Sequence, residues 1–276
     1  MRLISSMVNA IFLFVSFCFL YGLVLLLKRF FNKEACIFTL SVLNLEWFRI
    51  FIMLFLFLFV PWFTQNVGAF LLKKVPNGID KVLWLALLGE LSLFFYILSL
   101  LRNNPRWRIE MTQKTTQPLR LFNDVFEGYC QCLPPLFLIT LFWKFVIDIL
   151  HQLGFSVTFD QQPIIQLLAQ TKPHLASIFA ISVCVIFLAP LCEEIFFRGI
   201  LLRFLHSRMN LKKSLWLGSL IFAAVHQHFA SFLPLCFLGY WLSLSYIKSQ
   251  CMWTNIGIHA LFNGTNLMLV LLIPEL

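Results

Sequence analysis

Long apolar runs broken by short polar segments dominate the chain. A helix that crosses a bilayer needs about 20 mostly apolar residues. Eight runs approach that length: Val8 to Leu27, Trp47 to Phe63, Val82 to Leu101, Leu133 to Leu150, Leu175 to Leu191, Ser214 to about Val225, Phe232 to Ile247, and Trp253 to Ile273. The sixth is the shortest and is expected to extend further. The first is too long for the apolar region of a signal peptide, and Lys28, Arg29 and Lys33 follow it, so it reads as a span. The pattern predicts an all-α, polytopic membrane protein with about eight transmembrane helices in a single membrane domain, residues 1–276. Residues 1–150 hold the N-terminal spans. Within them the stretch from Arg102 to Cys132, opened by Asn103, Asn104 and Pro105, reads as a cytoplasmic connector with room for one helix lying on the membrane surface.

Composition removes the competing fold classes. Hydrophobic residues make up 60% of the chain and charged residues 12%, where a soluble domain carries roughly a quarter charged. A soluble fold is excluded. The net charge of +9 raises the question of nucleic acid, but the basic residues are scattered between apolar runs, so the expected surroundings are a lipid bilayer and no nucleic acid. Topology accounts for them better. Loops after odd-numbered spans hold thirteen basic residues: Lys28, Arg29, Lys33, Arg102, Arg106, Arg108, Lys114, Arg120, Arg203, Arg208, Lys212, Lys213 and Lys248. The other side holds five: Arg2, Lys73, Lys74, Lys81 and Lys172. Positive-inside asymmetry then places the odd loops in the cytoplasm and both termini outside.

Ionisable side chains inside a span are costly in lipid, so each is a candidate for function. Glu90 stands alone in the third run, where capping or pairing with another helix competes with chemistry. Lys144 and Asp148, four apart near the end of the fourth run, have the spacing of a structural ion pair. Cys130 and Cys132 form a CxC read as ordinary loop cysteines; no CxxC occurs among the eight cysteines, so neither a disulfide framework nor a zinc-finger spacing is visible.

The C-terminal half is different, because three polar pairs fall within about seventy residues, each with its members on one helix face. In Cys192-Glu193-Glu194-Ile195-Phe196-Phe197-Arg198, Arg198 stands four residues from Glu194 and can hold it as an ion pair. Glu193 points about 100° away around the helix and is left free to act as a general base. The second pair is Phe222 and His226, separated by small residues that let a neighbouring helix approach. The third is His259 and Asn263, an imidazole and an amide on one face, both able to donate to a developing oxyanion. A polar cluster that merely joins three helices is the plainer alternative. Against it, a free carboxylate, two imidazoles and a carboxamide match the inventory needed to hydrolyse an amide. No nucleophilic Ser or Cys stands in a recognisable motif, so water is the expected nucleophile.

At these residues the sequence resembles the type II CAAX prenyl endopeptidase and bacteriocin-processing superfamily, also called the CPBP or abortive-infection family. Its pattern of Glu-Glu-x-x-x-Arg, Phe-x-x-x-His and His-x-x-x-Asn is met in order by Glu193-Glu194 to Arg198, Phe222 to His226, and His259 to Asn263. Residues 175–273 form the catalytic core on that resemblance. It implies eight helices enclosing a conical active-site cavity open to the cytoplasm and to lipid. It further implies that Glu193 activates water, His226 positions it, His259 and Asn263 stabilise the oxyanion, and Arg198 holds Glu194. The implied substrates are membrane-associated peptides or proteins, CAAX-type prenylated ones included. Short loops and the Gln161-Gln162-Pro163 stretch look more like the bacterial branch, hence an inner-membrane location with the active site facing the cytoplasm.

No cofactor is expected. A zinc-dependent version of the same hydrolase is the nearest alternative, with Glu193, His226 and His259 as ligands by type, although no HExxH occurs. A non-catalytic membrane immunity, scaffold or transport protein is the other.

Overall fold

The computed structural model describes residues 2–31, 40–75, 78–105, 107, 117–157 and 174–272. Gln161, Gln162, Pro163 and the basic residues Lys33, Arg106, Arg108, Lys114 and Lys172 lie outside the described residues. Eight long helices occur among those described: α1 (Arg2–Phe31), α2 (Trp47–Leu71), α3 (Ile79–Asn103), α4 (Pro118–Gln152), α5 (Leu175–Arg208), α6 (Leu211–Val225), α7 (Phe232–Ser249) and α8 (Met252–Leu272). Seven are long and apolar enough to cross a membrane, and the protein is an all-α, integral, multi-pass membrane protein. Large apolar side chains such as Phe48, Phe51, Phe95 and Phe145 are exposed on the outer faces, as lipid contact requires.

Several boundaries differ from the sequence expectation. Helix α1 already begins at Arg2, and α2 runs on to Leu71, past Thr64, Gln65 and Asn66. Three further ends carry consequences for the site. The sixth run does not extend: α6 stops at Val225, and Gln227 adopts a left-handed φ of 52° that turns the chain back toward α7. Its 15 residues rise only about 22 Å, against roughly 30 Å of hydrocarbon. The fourth helix begins at Pro118, well before the apolar run, so Cys130 and Cys132 are buried helical residues and not loop residues. The fifth continues through the Glu193–Arg198 motif to Arg208. Arg203, counted as a loop cation, is buried, with Nε donating to the Ser41 carbonyl at 3.1 Å. Lys144 and Asp148 do not form the expected ion pair among the described residues; both are exposed in the last turns of a 35-residue helix, longer than a bilayer is thick, where each can reach water separately.

Helix α5 is the hub, packing against α3, α6 and α8, while α4 joins α1, α7 and α8. Close crossings rest on small residues, since lipid supplies no hydrophobic drive for helices to associate. A methyl group at Gly22 of α1 would overlap the Cys130 carbonyl of α4. At Gly239 of α7 a Cβ would stand 3.0 Å from the Phe222 ring and 3.3 Å from Ser219 Cα of α6.

Candidate active site

Two π-helical turns interrupt α5, at Cys184–Leu188 and Ile195–Leu201, on either side of the Glu193-Glu194 pair. Such turns widen the helix and leave a carbonyl without its usual partner. The first presents the Val185 carbonyl, which accepts from Asn263 Nδ2 of α8 at 2.9 Å. The second carries Arg198, whose Nη1 donates to Glu194 Oε1 at 2.7 Å and whose Nη2 donates to the Gly239 carbonyl of α7 at 3.0 Å. The same guanidinium lies 4.6 Å over the Phe222 ring of α6. A single arginine thereby joins α5, α6 and α7.

Glu194 is fully buried, and two further donors reach it from α8. Asn255 Nδ2 stands 3.2 Å from Oε2, and His259 Nδ1 stands 2.8 Å from Oε1. With Arg198 and Asn255 both donating, the carboxylate is the acceptor and Nδ1 of His259 carries the proton. The other ring nitrogen is turned toward Glu193, with Nε2 at 3.9 Å from Glu193 Oε2. Glu193 retains 19% of its side-chain exposure, yet its Oε2 is buried without a hydrogen-bond partner. The two adjacent glutamates therefore differ as their spacing predicts: one is saturated with donors, the other is left open.

His226, the residue that ends α6, donates from Nδ1 to the Phe222 carbonyl at 2.7 Å, because a carbonyl can only accept. Its Nε2 is thus the free nitrogen in the neutral ring. Phe222 is buried between the two imidazoles, its centroid 4.9 Å from that of His226 and 6.1 Å from that of His259. The structure so gathers Glu193, Glu194, Arg198, Phe222, His226, His259 and Asn263 from α5, α6 and α8 around one seam.

Residues 175–265 match the family model of Rce1-like type II CAAX prenyl endopeptidases. No curated protein and no solved structure matches the chain. The Rce1-like region begins with α5 and ends within α8, so it contains every residue of the three motifs. It supports an intramembrane protease of the CAAX type.

Two residues of the site escaped the reading of the motifs. Asn255 lies four residues before His259 and eight before Asn263, so the same four-residue spacing extended by one turn identifies it. Glu90, singled out only as a lone carboxylate, sits on α3 outside the Rce1-like region and within electrostatic reach of Glu193; its Oε2 is also buried and unpartnered. Among the described residues no three His, Cys, Asp or Glu side chains come together to hold a metal ion. The motif residues do not line the cavity of about 560 Å³ that lies between α4, α7 and α8.

Proposed function

We propose that the protein is an intramembrane endopeptidase that hydrolyses peptide bonds of membrane-associated substrates with water activated by Glu193. The observation that supports this reading is the division between the two glutamates. Glu194 takes donors from Arg198, Asn255 and His259, while Glu193 keeps a buried oxygen with no partner, facing the free edge of His259.

In this mechanism Glu193 accepts a proton from water as the water oxygen attacks the carbonyl carbon of the scissile amide. The amide nitrogen then takes that proton as the C–N bond breaks. Asn263 has one amide hydrogen on the Val185 carbonyl and a second available for the oxyanion. His259 contributes differently from a simple donor. Neutral, with its proton on Nδ1, it offers Nε2 as an acceptor that orients water; it donates to an oxyanion only as an imidazolium, which Glu194 behind it stabilises. His226 Nε2 positions the same water from the end of α6. No step runs through a metal ion. Prenylated CAAX proteins are the first substrate class to try, since the matched family is described by them. We read the site as opening to the cytoplasmic side of the inner membrane of a bacterial-type cell. The orientation is supported by the loop charge asymmetry, and the cell type by the short loops and the Gln161-Gln162-Pro163 stretch.

The test is cleavage by the purified protein in lipid nanodiscs, with a prenylated CAAX peptide beside a panel of membrane-derived peptides, with and without a strong chelator. Cleavage should survive chelation, and Glu193→Gln should lower kcat by about 10²–10⁴-fold, the range for loss of a general base. Activity lost to chelator and restored by zinc would replace this mechanism with the metal-dependent one. An absence of cleavage across the panel, with Glu193→Ala cells unaffected, would favour the non-catalytic alternative.

A further inference from the structure

The cavity between α4, α7 and α8 lies outside the motif residues, and its walls are unlike those of a lipid-facing groove. Along the first half of α4, Gln117, Arg120, Asp124, Glu127 and Gln131 recur every three or four residues and all line it. Leu119 and Phe122, on other faces of the same turns, are exposed to the outside. A membrane helix with its polar stripe turned inward lines a hydrated cavity. Lys248 and Ser249, at the end of α7, stand at the same end of the cleft as Gln117 and Arg120, whereas Trp241 and Gln131 lie deeper.

Three observations give this cleft the character of a binding site. Its volume of about 560 Å³ falls within the usual range of roughly 300–1,000 Å³ for ligand pockets. Thr254 and Gln131, which line it, are 2% and 7% exposed, and the Thr254 hydroxyl has no hydrogen-bond partner although it is buried. Finally, side chains of both signs, Arg120 and Lys248 against Asp124 and Glu127, line the cleft, and among the described residues no ion pair joins them to one another.

We propose that this cleft is a second, non-catalytic site that holds an extended polar segment of the substrate polypeptide, acidic where it meets Arg120 and Lys248 and basic where it meets Asp124 and Glu127. The proposal rests on the endopeptidase reading. A polypeptide fits the lining better than a lipid headgroup, because its backbone N–H and C=O groups can pair with Thr254 and Gln131 at depth as its side chains pair with the charges nearer the opening. The cleft also touches the catalytic seam through one helix. Thr254 and Ile258 line it, and their neighbours Asn255 and His259 hold Glu194. A segment seated there lies against the face of α8 adjoining the reacting groups.

The test separates binding from cleavage. Fluorescent peptides of one length, one with an acidic then a basic residue and one with both replaced by Ser, are titrated against Glu193→Gln protein in nanodiscs of neutral lipid. The charged peptide should bind about tenfold or more tightly than the Ser peptide, and Arg120→Glu with Lys248→Glu should remove the difference. In the otherwise unaltered enzyme the same two substitutions should raise KM for the charged peptide with kcat unchanged, and Thr254→Val should raise KM for both peptides. Equal binding of the two peptides, or a preference untouched by the charge reversals, overturns the proposal even if cleavage is robust. So does protection of a Lys248→Cys thiol by zwitterionic lipid but not by peptide, which would assign the cleft to a headgroup. Peptide binding without any cleavage would leave the cleft standing and count against the endopeptidase reading.

Discussion

Glu194 and Glu193 are neighbours in sequence with opposite circumstances, and mutation should separate them. A buried carboxylate that has lost its charge leaves Arg198 uncompensated, a defect that costs about 3–5 kcal/mol when one partner of a buried pair is removed. Glu194→Gln is therefore expected to lower folded yield and unfolding temperature, whereas Glu193→Gln should leave both near wild type and remove turnover. Equal loss of yield in the two variants would contradict the division. Asn255→Ala withdraws one donor from Glu194 Oε2 and from the Leu242 carbonyl, where Asn255 Nδ2 also stands at 2.6 Å. The expected cost is about 1–3 kcal/mol, read as a lower midpoint in thermal unfolding, together with impaired turnover because His259 loses a co-holder of its anchor. The pairing of Glu194 with Arg198 was legible from a spacing of four, since helical geometry alone brings i and i+4 together. The bond from His259 to Glu194 was not, because it joins residues 65 positions apart and depends on how α8 docks on α5.

At the level of helices, the sequence pattern found the eight long helices among the described residues and misplaced several ends, three of them for an evident local reason. The start of α4 was hidden because Gln117 through Gln131 presents charged and amide side chains on an inward face, which breaks an apolar run without breaking the helix. The end of α6 was hidden because its stop is a backbone event, the positive φ at Gln227, at a residue type that does not announce one. Helix α5 reads past its apolar run because the Glu194–Arg198 pair satisfies itself within the helix and among its neighbours. Packing at this scale depends on close approach. Gly22→Ala would drive a methyl into the Cys130 carbonyl, which as backbone cannot step aside, so α1 must shift away from α4. The expected result is a marked loss of thermal stability in detergent. A Gly22→Ala protein as stable as wild type would show that α1 is only loosely seated.

For the molecule as a whole, the charge asymmetry of the loops predicts which ends of the helices meet the cytoplasm. Single cysteines introduced at Asn210 and Gln250 should be labelled by an impermeant thiol reagent only from the cytoplasmic side, and cysteines at Lys74 and Gly154 only from the other. The reverse pattern would place the site on the wrong face for cytoplasmic substrates. The short α6 has a further consequence. A 15-residue helix among neighbours of full length is a hydrophobic mismatch of several ångströms, and a bilayer meets such a mismatch by thinning, or by admitting polar headgroups and water at the deficient end. The deficient end here is the one that finishes in His226, Gln227 and His228. On the loop topology that end faces away from the cytoplasm, opposite the opening proposed for substrate. Turnover should accordingly vary with acyl-chain length in reconstituted vesicles, fastest in thin membranes and slower as thicker ones cover the end of α6, with water and substrate reaching the site from different faces of the bilayer.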